Sequence, residues 1–168
     1  AVSVIDADGK LVEGRQREGR GDAGHSMLGM LQGTDTPIIG ASCAYRVDVF
    51  WAFAELPPRI LREDVLLPIR GLMLGEGRYL SCKLVRYRSH AGNLHSPAQV
   101  QTSADMVQRN LRFAEDRAAF CAQLSADIAK ARAEGCDLPV ELDEYLSRET
   151  AYSTLEQRLL HTRSLLVR

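Results

Sequence analysis

Two adjacent carboxylates, Glu63 and Asp64, stand where a helix is predicted to begin. A carboxylate held in the rigid first turn of a helix can project into a cleft. If it is ionised and within hydrogen-bond reach of a substrate hydroxyl, it can remove the hydroxyl proton. The same two side chains would also satisfy free N–H groups and complement the positive end of the helix dipole. The pair therefore predicts either a general base or an ordinary helix start.

A second polar cluster follows the next predicted strand, in the run from Tyr87 to Asn93. His90 lies there in a polar, glycine-containing loop, a setting that is not typical of a core histidine. Its imidazole could bind a divalent metal through one ring nitrogen, or contact a phosphate when protonated. Arg86 and Arg88 could hold a diphosphate through charge-assisted hydrogen bonds. The alternative is a solvated loop with a basic rim.

This cluster belongs to a longer basic segment. Residues 77–104 contain four Lys or Arg and two His but no acidic residue, which predicts a local positive patch. The whole chain of 168 residues has 21 Lys and Arg against 22 Asp and Glu, so it has no overall attraction for nucleic acid or an anionic membrane. The patch is small and the chain has no nucleic-acid-binding motif, so we expect no nucleic-acid partner.

The cysteines argue against a zinc knuckle or a disulfide framework. Cys43, Cys82, Cys121 and Cys136 are scattered without a Cys-x-x-Cys pair. Their apolar surroundings predict buried free thiols in a reducing compartment. The amino terminus has no signal-peptide pattern and no stretch has the length of an apolar spanning helix, so we expect a cytoplasmic protein, with contact to the inner face of the membrane left open.

The periodicity of apolar residues and the turn signals predict the secondary-structure elements that position these residues. The predicted fold class is α/β, or α+β for a fragment. We predict a mixed region over residues 1–101 and an all-helical region over residues 102–168. The predicted elements of the first region are a strand over Ala1–Asp6, a helix over Ser26–Gln32, a buried strand over Pro37–Tyr45, a helix over Val47–Glu55, a helix over Arg62–Gly75 and a strand over Arg78–Arg86.

The second region reads as two long amphipathic helices. Apolar residues recur at three- and four-residue steps from Val107 to Ile128, and a second series with Tyr145, Tyr152, Leu155 and Leu159 on one side begins near Val140. The Gly135–Pro139 connection is short, which predicts an antiparallel hairpin. We expect this hairpin to pack against the first region or against a second copy of the chain.

The order of the motifs is more specific than any one of them. Residues 5–93 resemble the C-terminal half of the catalytic domain of family-2 glycosyltransferases, which are inverting enzymes with a GT-A fold. The segments that carry the resemblance are VIDADG (Val4–Gly9), IIGASCAYRVDVF (Ile38–Phe50), LREDVLLPIRGLMLG (Leu61–Gly75) and VRYRSHAGN (Val85–Asn93).

The resemblance implies a role for each matching residue. Asp64 would be the catalytic base with Glu63 beside it, and His90 would contact the metal or the diphosphate. The residues implied to bind substrate are Gly40, Ala41 and Ser42 on the acceptor side, and Arg86 and Arg88 on the diphosphate side. In the complete enzyme the resemblance implies Mg²⁺ or Mn²⁺, a nucleotide-diphosphate sugar as donor and a saccharide or a lipid-linked molecule as acceptor.

The chain also departs from the family pattern. The nucleotide-binding half, which ends in an Asp-x-Asp motif, is not found among these residues, and Asp6-Ala7-Asp8 is a poor substitute for it. We therefore expect a fragment or truncated relative with little or no activity alone. The Gln-x-x-Arg-Trp signature of processive synthases is absent too, so a non-processive enzyme is expected.

Two functions remain open at this point. If the chain is the base-carrying half of a glycosyltransferase, Asp64 and His90 should line one cleft together with the segment from Gly40 to Tyr45. If it is instead a non-catalytic interaction module built on the hairpin, those polar groups should face solvent in separate places.

Overall fold

A computed structural model describes residues 2–12, 24–35, 38–80, 82–93 and 102–166. Within these ranges the chain is a mixed, helix-rich fold with a small parallel sheet, compatible with the α/β and α+β classes. The strands are β1 (Val2–Ile5) and β2 (Val85–Arg88), and the helices are α1 (Met27–Gln32), α2 (Asp48–Trp51), α3 (Glu63–Leu74), α4 (Ser103–Ala133) and α5 (Glu141–Leu166).

The two strands pair in parallel, with Val2 opposite Val85 and Ile5 opposite Arg88. The first strand is confirmed, and Val2, Val4 and Ile5 are buried on it. The second strand was predicted over Arg78–Arg86, but the described residues before Val85 are not strand. The four residues of β2 pair with the four of β1.

The predicted buried strand over Pro37–Tyr45 is wrong; Pro37 itself lies outside the described residues. A short 3-10 turn occupies Gly40–Ser42 instead. Both the hydroxyl and the N–H of Ser42 donate to the carbonyl of Ile39, at 2.8 Å each. These local bonds compete with a strand ladder, so an apolar run that favours a strand folds as a turn.

Helix α2 is shorter than predicted. It was expected to reach Glu55 but ends at Trp51, and Val49 is its one buried residue. A single buried side chain supports little more than one turn, because helix stability in proteins comes mainly from packing.

Helices α1 and α3 are confirmed. Ser26 caps α1 by accepting a hydrogen bond from the Gly29 N–H, and Gly33 ends it in the left-handed region with φ of 71°. In α3 the buried residues Leu66, Ile69 and Met73 follow helical spacing.

The helical hairpin is confirmed as well. Helix α4 begins with a capping box between Thr102 and Asp105. The antiparallel pairing with α5 is shown by Arg132, which contacts Asp143 near the connection, and by the Ala114 carbonyl, which accepts from Ser153 farther along. None of the described helices has both the length and the apolar character needed to cross a membrane.

The main hydrophobic core lies where α3 meets the half of the hairpin nearest its connection. Its most buried members are Leu66 and Ile69 from α3, Phe120, Leu124 and Ile128 from α4, and Leu142 from α5. The predicted apolar side of α5 is therefore only partly right. Tyr145 is buried, but Tyr152, Leu155 and Leu159 are more than half exposed.

The cysteines are free in the described structure, as predicted, but their burial differs from one to the next. Cys121 is buried in the core, Cys43 and Cys136 are half-buried, and Cys82 is exposed. The prediction for Cys82 rested on a strand over its neighbours, but that strand begins only at Val85 among the described residues.

Candidate functional site

The turn at Gly40 lies directly against the start of α3. A Cβ atom at position 40 would stand 3.2 Å from the Asp64 Cβ and 3.4 Å from the Glu63 Oε1. A side chain there would crowd both carboxylate residues, so this approach depends on glycine. The structure thus brings together three of the residues that the resemblance assigns to one site: Gly40, Glu63 and Asp64.

The two carboxylate residues differ in exposure. Asp64 is half-buried and Glu63 is exposed. Both lie in the first turn of α3, where no side chain of the N-cap residue Arg62 caps the helix. This placement suits a carboxylate that complements the helix dipole, and the partly exposed Asp64 side chain stays accessible to a ligand.

The negative charge of Asp64 is felt by two nearby groups of the same segment. Burial raises the pKa of the Cys43 thiol, a hydrogen bond with Tyr45 lowers that pKa in part, and the Asp64 carboxylate raises it. Burial also raises the pKa of the Tyr45 hydroxyl, to which the Cys43 thiol and then Asp64 add. Cys43 and Tyr45 were not predicted as site residues, although both lie within the IIGASCAYR motif.

Strand β2 presents its arginines to solvent. Arg86 and Arg88 alternate with the half-buried Val85 and Tyr87, so they share one face of the strand. Arg88 also has a structural task, because its Nη1 donates to the carbonyls of Asp6 and Ala7 in the turn after β1. Arg86 stays the more available of the two for a ligand.

His90 is exposed in the turn that follows β2. Its backbone N–H donates to the Asn93 Oδ1, and its ring Nδ1 accepts from the Gly92 N–H at 3.1 Å. A ring nitrogen that accepts carries no proton, so the neutral ring holds its proton on Nε2. This arrangement presents Nε2 as a hydrogen-bond donor, which suits an anionic ligand better than a metal ion.

The turn at Gly40–Ser42 connects the two groups, since it contacts both α3 and β2. A cavity of about 800 Å³ opens beside it, with Ala41, Ser42 and Tyr45 in its wall together with apolar residues such as Leu72 and Val85. The lining of this cavity does not include Asp64 or His90 within the described part of the chain. The expectation that both would line one cleft with this segment is therefore not met by this cavity.

No group of three His, Cys, Asp or Glu side chains suited to a metal ion occurs among the described residues. Asp6 serves its own turn instead, because its Oδ1 accepts from the N–H groups of Asp8 and Lys10 at 2.9 Å each. The described residues do not by themselves form a metal site, and the divalent ion stays a prediction.

No family model, curated protein or solved structure matches the chain. A function must therefore be argued from the motifs and from the geometry just described.

Proposed function

We propose that these residues carry the acceptor side and the general base of an inverting, non-processive glycosyltransferase. The donor would be a nucleotide-diphosphate sugar, and the donor-binding half is not among the 168 residues. The observation that carries the proposal is the proximity of the Gly40 turn to Asp64 and Glu63 at the start of α3, because it joins two sequence motifs that the resemblance places in one site.

The chemistry of inversion needs few groups. The carboxylate of Asp64 takes the proton of the acceptor hydroxyl while the hydroxyl oxygen attacks the anomeric carbon in line. The bond from that carbon to the diphosphate breaks in the same step, and the nucleoside diphosphate leaves with the electron pair. General-base catalysis of this kind contributes about 10²- to 10⁴-fold in rate.

The leaving diphosphate gains negative charge, and the β2 end of the site is suited to receive it. Arg86 is exposed on the strand, and His90 presents Nε2 as a donor. Hydrogen bonds from charged donors to phosphate oxygens are about twice as strong as neutral ones. We assign both residues to the diphosphate, with Arg88 in a supporting role because it holds the turn after β1.

The cavity beside Ala41 and Ser42 supports the acceptor role of this segment. Its wall mixes hydroxyl and backbone polar groups with apolar side chains. A pocket of this size and character suits a small organic ligand such as a sugar carried on an apolar group.

The test uses the natural reading frame that contains these residues, assayed with nucleotide-diphosphate sugars and a panel of hydroxyl acceptors. Asp64→Asn should lower kcat by about 100-fold or more while donor binding, measured by calorimetry, stays within about twofold. Asp143→Asn, in the distant hairpin, is the matched control and should leave kcat unchanged. If Asp64→Asn turns over at the wild-type rate, Asp64 is not the base.

The 168 residues alone should transfer little or no sugar, because positioning and electrostatic stabilisation act only when donor and acceptor are both held. Measurable transfer by this chain would contradict the idea that the donor half lies elsewhere.

A second candidate is an interaction module, and one observation favours it. Tyr152, Leu155 and Leu159 are 52%, 56% and 59% exposed and form a stripe along α5. The stripe would pair with its equivalent in a second copy. Leu155→Glu combined with Leu159→Glu should then abolish a concentration-dependent dimer in sedimentation, whereas Thr154→Glu on another face of α5 should not. A wild-type chain that stays monomeric at all concentrations would exclude this dimer.

A further inference from the structure

The start of α3 is held by a residue of the hairpin. Asp116 of α4 is buried, with 2% of its surface exposed. Its Oδ1 accepts from the Leu61 N–H at 2.6 Å, and its Oδ2 accepts from the Arg62 Nε at 2.8 Å. Both donors lie immediately before Glu63 and Asp64.

This anchor replaces a local one. The N-cap residue of α3 is Arg62, whose side chain makes no capping bond to the helix and whose backbone dihedrals are −103° and 45°. Helices usually fix their first turn with a Ser, Thr, Asp or Asn at this position. Here the Arg62 guanidinium instead lies 4.2 Å above the Phe120 ring while it binds Asp116, so α4 fixes the side chain on two sides.

We propose that Asp116 is a positioning residue for Asp64, which it holds at the turn of Gly40 by fixing Leu61 and Arg62. The inference rests on the proposed role of Asp64 as the base. The hairpin would then take part in the reaction indirectly. Helix α4 would set the position of Asp64 through the two residues that precede α3.

The turn at Gly40 and the start of α3 lie side by side. A Cβ added at Gly40 would stand 3.2 Å from the Asp64 Cβ and 4.0 Å from its Cα, so a shift of the start of α3 would change the position of Asp64 relative to this turn. A displacement of about 1 Å at a reacting group can cost about 100-fold in rate. Loss of the anchor should therefore act on kcat rather than on donor binding.

The chain offers a matched control on the same helix. Asp127 is also 2% exposed and also binds an arginine of α3, because it accepts from the Arg70 Nε at 2.7 Å and from the Nη2 at 3.0 Å. It lies about three helical turns beyond Asp116, and Arg70 is about two turns beyond the start of α3. Asp127 therefore shares the burial and the partner type of Asp116, but not the contact with the residues before Asp64.

The first measurement is independent of activity. Amide hydrogen exchange in the full chain should show the amides of Leu61 to Asp64 exchanging at least about tenfold faster in Asp116→Asn, relative to the amides near Met73. In Asp127→Asn the same ratio should stay near the wild-type value. Equal ratios in the two variants would overturn the proposal, because Asp116 would then only hold the two helices together.

The second measurement uses the complete enzyme. Well below the unfolding temperature, Asp116→Asn should lower kcat about tenfold or more and leave donor KM within about twofold, and Asp127→Asn should change neither by more than about twofold. The same loss of kcat in both variants would also overturn the proposal.

The two measurements separate this inference from the proposed function. If no transfer is found for the wild type, the glycosyltransferase proposal fails, and hydrogen exchange still decides whether Asp116 fixes the start of α3. Asn has nearly the volume of Asp, so Asp116→Asn is preferred. If Asp116→Asn does not fold, Arg62→Lys is measured in its place. Lysine keeps the positive charge but loses the contact that the Arg62 Nε makes with Asp116. Unchanged amide exchange at Leu61 to Asp64 in Arg62→Lys would count against the proposal.

Discussion

Among single side chains, the Cys43 thiol responds to the charge of Asp64. Burial raises the pKa of this thiol, a hydrogen bond with Tyr45 lowers it in part, and the negative charge of Asp64 raises it. The thiolate is the form that reacts with alkylating reagents. The reaction rate of Cys43 therefore depends on the charge of the candidate base.

We predict that Asp64→Asn makes Cys43 react a few times faster with iodoacetamide at pH 8.5. Removal of the carboxylate charge lowers the pKa of the thiol, so more thiolate is present at that pH. The rate is read by mass spectrometry of the peptide that contains Cys43. Glu63→Gln is the control, since Glu63 is exposed and should change the rate less; an unchanged rate in Asp64→Asn would mean that the carboxylate lies too far from the thiol to act on it.

Capping residues were predictable from the sequence where the cap is local. The Ser26 side chain accepts a hydrogen bond from the Gly29 N–H, as its position before an apolar helix indicated. The state of His90 was not predictable, because the acceptor role of its Nδ1 depends on a turn that brings the Gly92 N–H to the ring. A single sequence carries the residue types of that turn but not its dihedral angles.

Among the elements, the contact between α3 and α4 depends most on buried charge. Arg70 and Asp127 are both 2% exposed, and the Arg70 guanidinium lies 5.1 Å from the centre of the Phe53 ring. An ion pair in such a place stabilises little compared with apolar residues, but removal of one partner leaves an uncompensated buried charge.

We predict that Asp127→Ala lowers the free energy of unfolding by about 3–5 kcal/mol. Urea unfolding followed by circular dichroism gives the value. Asp143→Ala removes the partner of Arg132 in an exposed ion pair of the same hairpin, and it should change the unfolding free energy little. Equal losses in the two variants would show that burial of the Arg70 pair has no energetic effect.

The connection of the hairpin makes a prediction about pH. The hydrogen bonds from Arg132 hold the pKa of the Asp143 carboxyl below its usual value. A group with a lowered folded pKa contributes stability above its unfolded pKa and loses it as the pH falls through the folded one. The Asp143 titration, followed by NMR, should have its midpoint below that of an unpaired aspartate in the wild type, and the midpoint should rise in Arg132→Ala. The same midpoint in both proteins would contradict this.

The long helices were predicted well, whereas α2 is shorter than predicted. Helices α3 and α4 repeat buried residues over successive turns, and in α5 the buried apolar residues Leu142, Tyr145 and Leu146 lie near its start. The segment from Ile38 to Tyr45 was misread because two isoleucines followed by small residues favour a strand, while the bonds of Ser42 to Ile39 decide for a turn. Such short apolar runs do not have enough periods to distinguish the two.

For the whole molecule, the question is whether the predicted boundary at residue 102 separates two folding units. The core joins Leu66 and Ile69 of the first region to Phe120, Leu124 and Leu142 of the second. A core that crosses the boundary couples the two regions in unfolding.

We therefore predict a single calorimetric transition for the chain, with a van't Hoff enthalpy equal to the calorimetric one. A chain cut after Gln101 should not fold cooperatively by itself, because α3 would expose Leu66 and Ile69. Two separate transitions, or a folded fragment of residues 1–101, would show that the boundary divides independent domains.

The apolar periodicity of α4 did not indicate that Asp116 and Asp127 lie on its buried face. A charged residue in an amphipathic helix is ordinarily assigned to the solvent side, and only the position of Arg62 and Arg70 on a helix distant in sequence shows otherwise. Long-range pairing of this kind cannot be read from the periodicity of one segment. The sequence therefore predicted that the hairpin would pack, but not what would hold it in place.

The burial of the Arg70–Asp127 pair affects how the stability of the fold depends on salt concentration. Dissolved ions weaken attraction between charges that they can surround, over a screening length of about 8 Å at physiological ionic strength, but they hardly act on a pair closed off from water. High salt concentration should thus weaken the exposed Arg132–Asp143 pair, while the buried Arg70–Asp127 pair between α3 and α4 stays intact. A rise in temperature also favours the buried Arg70–Asp127 pair, because the free-energy cost of removing charges from water falls as temperature rises.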